Sequence, residues 1–227
     1  MSIIFVSGGG SAKDSYLLDR EFVKFLPNRK ILYIPVGLER GISGYEGCFE
    51  WLTKTLARHA KQKLDISMWI NLKCIDRENI TKYGSIYIGG ALNTYKLMSI
   101  FIKHKIDILL NKFLKGNGVL YGGSSGGVVF GKNISTFEKE KDSEGVGERG
   151  LNLIGGYSIY CHLMENNIDQ VARFVKQKKT PVIAMPENSG IFLKNKTIKV
   201  IGYSRIVVAG GEKRGMKFLN PGDTFEL

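Results

Sequence analysis

The sequence predicts an α/β fold: a three-layer α/β/α sandwich around a mostly parallel sheet, with an antiparallel extension toward the C-terminus. Three observations predict it. Short apolar runs rich in Ile, Val and Tyr recur along the chain, and continuous runs of this kind suit strands buried on both faces. Helical patterns lie between the runs, and such alternation makes a parallel sheet covered by helices on both sides. From Gly190 the alternation gives way to short strands separated by turn residues.

The first strand is SIIFVS, residues 2–7, and it enters the glycine turn GGGSAKDS. Leu18, Phe22 and Phe25 then fall on one face of a helix, which is the stripe a core-facing helix presents. KILYIPV is the second strand, and Phe49, Leu52 and Leu56 mark the next helix. ISMWI and SIYIGG follow as strands, and a long helix is predicted from about Asn93 to Leu114. GVLYGG, YSIYCH and TPVIAMP are the remaining buried strands, the last two separated by a helix over Asn167 to Gln177. Beyond Gly190, GIFLKNKTIKVIGYSRIVVAGG and MKFLNPGDTFEL read as strands with turns at Asn195-Lys196 and Pro221-Gly222. These are expected to extend the same sheet, so residues 1–227 are predicted to be one domain, a size that one core can support. The charged, glycine-containing stretch 137–150 is the expected mobile loop.

Composition narrows the function. No apolar run approaches the roughly 20 residues that span a bilayer, and the start lacks the basic n-region of a signal peptide. The three cysteines, Cys48, Cys74 and Cys161, are scattered without metal spacing and read as reduced thiols. A cytoplasmic protein without a membrane or metal partner is expected. The net charge of +12 raises nucleic acid as a partner. However, the Lys and Arg are dispersed through FVKFLPNRK, LARHAKQK, FIKHK, FVKQKK and GGEKRG, with no arm or recognition module among them. A solvated basic surface is the expectation.

The stretch GVLYGGSSGGVVFG, residues 118–131, carries the chemistry. Gly122-Gly123-Ser124-Ser125-Gly126 fits G-x-S-x-G between a strand and Val128-Val129-Phe130, which can start a helix. In that turn the flanking glycines let a serine stand at the end of the sheet beside free backbone N–H groups, where a developing oxyanion is favoured. A glycine turn that binds phosphate is the alternative. Ser125 also has glycines at both offsets, so spacing leaves Ser124 and Ser125 open, with Tyr121 at the strand end favouring Ser124.

A serine nucleophile needs a base and a group to orient that base. Of the three histidines, His59 and His104 lie on basic helix ends, whereas His162 ends the strand YSIYCH, and sites in such sheets form at strand ends. Glu187 follows the strand VIAMP, and Glu138, Glu140 and Asp142 lie in the loop after the elbow. Strand-end placement favours Glu187, because a rigid element holds a carboxylate better. A second strand–turn–helix, IYIGGALNTYKL, offers the N–H groups of Gly90 and Ala91 to an oxyanion and Asn93 or Thr94 as a helix cap. The turn GGGSAKDS lacks the dinucleotide pattern and reads as a tight connection.

These segments resemble the peptidase E (aspartyl dipeptidase) serine peptidases, with cyanophycinase a more distant relative. The likeness covers most of the chain. ILYIPV is similar to the family's second strand, YIGGALNTYKL to its GGGNT turn and YGGSSGGVVFG to its G-x-S-A-G elbow. LNLIGGYSIYCHL is similar to the segment bearing the catalytic histidine, and VIAMPENSGIFL to the LPEG segment bearing the acid. The resemblance implies a class I glutamine amidotransferase-like fold. It implies Ser124 as nucleophile, His162 as base, Glu187 as its orienter, and oxyanion donors among Gly90, Ala91 and Ser125. It implies hydrolysis of short peptides, including dipeptides with an N-terminal Asp, by a monomer or homodimer without a cofactor. The chain departs from the family pattern in three places. Ser125 stands where the family has Ala. Ala91 replaces a glycine, with Leu92 added. Ile168 falls where Asp-specific members carry an arginine, and Arg173 lies about one turn later as the candidate substrate contact. A non-catalytic small-ligand-binding protein on the same fold is the alternative function.

Overall fold

The structure, a computed structural model, describes residues 3–39, 42–72, 78–210 and 215–227. Its elements are β1 (Ile3–Ser7), α1 (Tyr16–Lys24), β2 (Lys30–Ile34), α2 (Ile42–Ala57), β3 (Asp65–Met68), β4 (Ser85–Ile88), α3 (Thr94–Lys103), α4 (Ile106–Lys115), β5 (Val119–Gly123) and α5 (Ser125–Val128). They continue with β6 (Ser158–Tyr160), α6 (Ile168–Lys178), β7 (Val182–Ala184), β8 (Ser189–Lys194), β9 (Thr197–Gly202), β10 (Ile206–Ala209), β11 (Met216–Leu219) and β12 (Thr224–Glu226). The main sheet has eight strands in the order β12-β9-β8-β1-β5-β4-β2-β3. From β1 to β3 across that order all neighbours are parallel. β8, β9 and β12 continue it antiparallel.

Alternation along each strand sorts the side chains onto two faces. Phe5, Ile31, Tyr33, Tyr87 and Tyr121 face Leu18 and Phe22 of α1 and Leu52 and Leu56 of α2. Ile4, Leu32, Ile86 and Leu120 face the other way, onto Leu97 and Phe101 of α3 and Leu110 of α4. Helices therefore cover both faces of a mostly parallel sheet, as the alternating pattern predicts.

Two placements differ from the sequence expectation. β6, β7, β10 and β11 leave the main sheet and form a second one in the order β11-β10-β7-β6. The C-terminal extension thus holds for β8, β9 and β12, while β10 and β11 belong elsewhere. The reason lies in which residues are buried where. Ile159, Ile183, Ile206 and Leu219 join the core against the main sheet. Their neighbours Tyr160, Val182, Ala184 and Val207 face outward, under Val171 and Phe174 of α6. The second sheet does a helix's work on one face, and α6 covers it in turn.

The long helix expected from Asn93 to Leu114 is two helices, α3 and α4. Lys105 sits between them in the left-handed region at φ 54°. Its N–H bonds to the Ile102 carbonyl, so α3 closes there and the chain restarts with Ile106 buried. The stretch 137–150, the expected mobile loop, makes hydrogen bonds to the start of α3 and within itself. Asn93 Nδ2 donates to the Lys141 carbonyl at 3.2 Å, and Asp142 accepts the N–H groups of Val146 and Gly147. No described helix is long and apolar enough to cross a membrane. Cys48 and Cys161 are free thiols, and Cys74 lies outside the described residues.

Candidate active site

The C-terminal ends of β1, β4 and β5 meet at one rim of the main sheet, and β6 and β7 of the second sheet end beside them. Backbone bonds make the junction. The Ser124 N–H donates to the Ser7 carbonyl at 3.2 Å, and the His162 N–H donates to the Gly8 carbonyl at 3.1 Å.

Ser124 has φ 50° and ψ −123°. A non-glycine residue held in such a sparsely populated region stores strain, and strain of this kind gathers at functional sites. The glycines beside it are demanded by space. A Cβ at Gly122 would lie 2.6 Å from the Gly126 carbonyl oxygen, and one at Gly126 would lie 2.5 Å from that of Gly89. At Gly123 the nearest atom is Tyr87 Oη, at an ordinary 3.5 Å. Ser124, with its positive φ, is the residue at the apex of the turn. Ser125 is buried behind it, donating from Oγ to the Ala91 carbonyl at 3.3 Å. Val129 and Phe130, expected within a helix, lie past the end of the short α5. The Ser125 N–H opens that turn, where helix geometry leaves N–H groups unpaired.

His162 stands two residues beyond β6, with φ 56°. Its ring links the two other expected residues: Nε2 is 2.8 Å from Ser124 Oγ and Nδ1 is 2.8 Å from Glu187 Oε1. A neutral imidazole satisfies both contacts by donating from Nδ1 and accepting at Nε2. The backbone is held from both sides, since Asn167 Nδ2 also donates to the His162 carbonyl at 3.1 Å. Beneath the ring lies Gly9, φ 115°, where a Cβ would come within 2.4 Å of His162 Cε1. The glycine turn after β1 is thus the platform for this histidine, a role its reading as a plain connection missed. Its signal was three glycines in a row after a strand.

The other acids bond to other groups. Glu138 pairs with Arg173, with contacts of 3.3 and 3.4 Å. Glu140 accepts the Thr94 N–H at 2.7 Å. His59 packs on the Tyr16 ring at 4.6 Å, and His104 caps the end of α3. In the GGALNT turn, Gly90 faces Ser124, the site of its missing Cβ being 3.7 Å from Ser124 Cβ. The N–H groups of Gly90 and Ala91 have no backbone partner among the described residues. The added Leu92 is exposed, and its N–H is spent on the Gly37 carbonyl. Asn93, rather than Thr94, is the cap of α3, accepting the Lys96 N–H at 3.0 Å.

Two hollows flank Ser124. The smaller, about 210 Å³, is lined by Ala91, Leu92, Glu140, Tyr160 and His162 among others. The larger, about 510 Å³, is lined by Gly9, Tyr33, Trp51, Tyr87, Gly90 and His162 among others. Arg173 lines neither, and Ile168 faces a third hollow with Met164 and Pro186. A wider cleft of about 810 Å³ lies at the opposite rim, beside Arg29, Lys63 and Asp65. It holds none of the groups described at the elbow.

Two buried groups underlie the site. Cys161 donates weakly to the Ser124 carbonyl at 3.5 Å, and burial pushes its thiol up to about 12, so it stays protonated. Asp19 accepts from Ser15 Oγ at 2.6 Å and from Tyr121 Oη at 2.8 Å. Burial raises its carboxyl to about 6, against the pull of those two hydrogen bonds. Among the described residues no cluster of three or more His, Cys, Asp or Glu could hold a metal ion.

Comparison with known proteins bears on the family and the fold. The model of peptidase family S51 matches residues 3–201. No curated protein sequence matches the chain significantly. A candidate peptidase E protein from Listeria monocytogenes EGD-e superposes with a TM-score of 0.69 at 18% identity, covering 90% of this chain and 100% of its own. A peptidase from an acI-B1 actinobacterium gives a TM-score of 0.76 at 15% identity, covering 100% of this chain and 97% of its own. At these identities the two structures speak for the fold.

Proposed function

The chain belongs to peptidase family S51 and is a serine-type peptidase, and from that premise we propose that it cleaves short peptides through Ser124, His162 and Glu187. Ser124 Oγ attacks the scissile carbonyl as its proton passes to His162 Nε2. Glu187 accepts from Nδ1, fixing the tautomer and steadying the imidazolium. The carbonyl oxygen, now an oxyanion, is received by the N–H groups of Ser125 and Gly90, with Ala91 beside them. The C–N bond then breaks as the imidazolium hands its proton to the departing amine. Water, deprotonated by the same imidazole, attacks the acyl-enzyme and frees the serine.

The observation that carries this reading is the pair of 2.8 Å contacts on opposite sides of one imidazole. The strained Ser124 backbone supports it independently. His162 and Glu187 keep side-chain exposures of 39% and 53%, which leaves room for a peptide to reach them. An N-terminal aspartate, the specificity that the resemblance implies, calls for a cation near Ser124. Arg173 is occupied by Glu138 and stands away from both hollows, so Asp specificity is not part of the proposal.

A panel of dipeptides assayed with wild type and Ser124→Ala tests the mechanism. Turnover should fall at least about a thousandfold in the variant, the scale seen when a triad member is lost. Peptidase activity undiminished in Ser124→Ala would falsify the assignment.

A further inference from the structure

We propose that Glu140 receives the free α-ammonium group of the substrate's first residue in the smaller hollow beside Ser124. The preferred substrates are then unblocked peptides whose N-terminal side chain is apolar rather than acidic. This deepens the Ser124 reading above and rests on it.

Ser124, His162 and Glu140 line the same space of about 210 Å³. That is below the roughly 300–1,000 Å³ typical of ligand pockets, a scale that suits a single residue. A residue whose carbonyl carbon meets Ser124 Oγ has its amino group two bonds from that carbon, so a hollow lined by Ser124 itself must receive both, and the smaller one adds a carboxylate. Glu140 is the one carboxylate side chain among the described residues of the lining. One of its oxygens, Oε2, is anchored by the Thr94 N–H at 2.7 Å, which holds the carboxylate in place at the start of α3. The other oxygen remains for a ligand. A carboxylate fixed in this way forms a charge-assisted hydrogen bond with an ammonium, and it repels a second carboxylate.

Ala91, Leu92, Val128 and Phe137 give the hollow an apolar wall, beside the small hydroxyls of Thr94, Ser125 and Thr136, and that wall suits an apolar side chain. The cation that would be needed to accept an acidic side chain is elsewhere, because Arg173 is held by Glu138 outside this hollow. Charge and shape thus agree on one class of first residue.

The test compares kcat/KM for Ala-Leu, Asp-Leu and N-acetyl-Ala-Leu in wild type and Glu140→Gln. Gln keeps an oxygen to accept the Thr94 N–H and removes only the charge, and a thermal melt checks that the variant folds. Wild type should prefer Ala-Leu over both other peptides by at least about tenfold, the value of one hydrogen bond to a charged group. Glu140→Gln should lose about that factor on Ala-Leu, chiefly through KM, and so narrow its lead over the acetylated peptide. Equal rates on Ala-Leu and N-acetyl-Ala-Leu, a preference for Asp-Leu, or unaltered ratios in Glu140→Gln would each overturn the proposal. A serine-directed phosphonate on the wild type separates the two levels. If it labels Ser124 while the ratios fail, Glu140 alone is misassigned. If Ser124 does not label and no peptide is cut, the mechanism falls and this inference with it.

Discussion

At Gly9 a side chain has been given up so that a ring can occupy its place. A Cβ there would stand 2.4 Å from His162 Cε1, on a backbone at φ 115° that L side chains resist. Gly9→Ala should therefore displace the imidazole by a fraction of an ångström or more. We expect kcat to fall about a hundredfold, the cost of misplacing a catalytic group on that scale, with far-UV circular dichroism retained. The elbow gives a paired contrast. Gly126→Ala drives a methyl against the Gly89 carbonyl at 2.5 Å, whereas Gly123→Ala meets nothing nearer than Tyr87 Oη at 3.5 Å. Activity and expression should collapse in the first and survive in the second, and equal outcomes would contradict the steric account of G-x-S-x-G. The elbow was legible in the sequence because its spacing encodes that steric demand directly. Strand ends pointed to His162 and Glu187, since each follows an apolar run. The platform at Gly9 was not legible, because its reason for being glycine is a ring about 150 positions further along the chain. Nor could composition reveal that Glu138 neutralises Arg173, which only folding brings together.

Between elements, the contact most open to test is the one joining α1 to β5. Asp19 of α1 is 1% exposed and bonded to Ser15 and to Tyr121, three residues before Ser124. Its folded pKa of about 6 lies above the ordinary 3.8, so the folded protein holds this proton more tightly than the unfolded chain does. For this group, stability is highest below about pH 4, falls as pH rises through 4 to 6, and is level above that. The shift is equivalent to about 3 kcal/mol at neutral pH. Asp19→Asn keeps an acceptor for Tyr121 and a partner for Ser15 while removing the charge. It should melt higher than wild type at pH 7.5 but not at pH 4, and an equal gain at both would refute the linkage. The α3–α4 break offers a second test. Lys105 holds a left-handed backbone that costs a non-glycine residue roughly 1 kcal/mol, so Lys105→Gly should raise the urea midpoint. The break escaped the sequence because Asn93 to Leu114 keeps its apolar stripe through it, without glycine or proline to mark the stop. The second sheet escaped for a related reason. A short run such as SIY or VIA, buried at every position, announces burial on both faces, and that is equally true in either sheet.

For the molecule as a whole, charge is the lesser force. The ion pairs Lys24–Glu21, Lys54–Glu50 and Lys96–Glu39 are exposed, and such pairs contribute little to stability. Apolar contact instead joins the two sheets, and the candidate machinery is divided between them. Ser124 belongs to the main sheet, while His162 and Glu187 follow strands of the second. Ile4 and Val6 of the main sheet share one continuous core with Ile159, Ile183 and Ile206 of the second. A core without a seam should open all at once. Phosphonate labelling of Ser124, which under the proposed mechanism requires His162 in place, should therefore vanish in urea at the same midpoint as the far-UV signal of the sheets. Ile183 is fully buried at the join. Truncating it to Ala should cost about 2–5 kcal/mol and lower both midpoints together. Labelling that disappears at a clearly lower urea concentration than the dichroism would show the second sheet lifting away by itself. The machinery would then depend on a docking equilibrium, and Ile183→Ala would weaken labelling even where the main sheet stays folded.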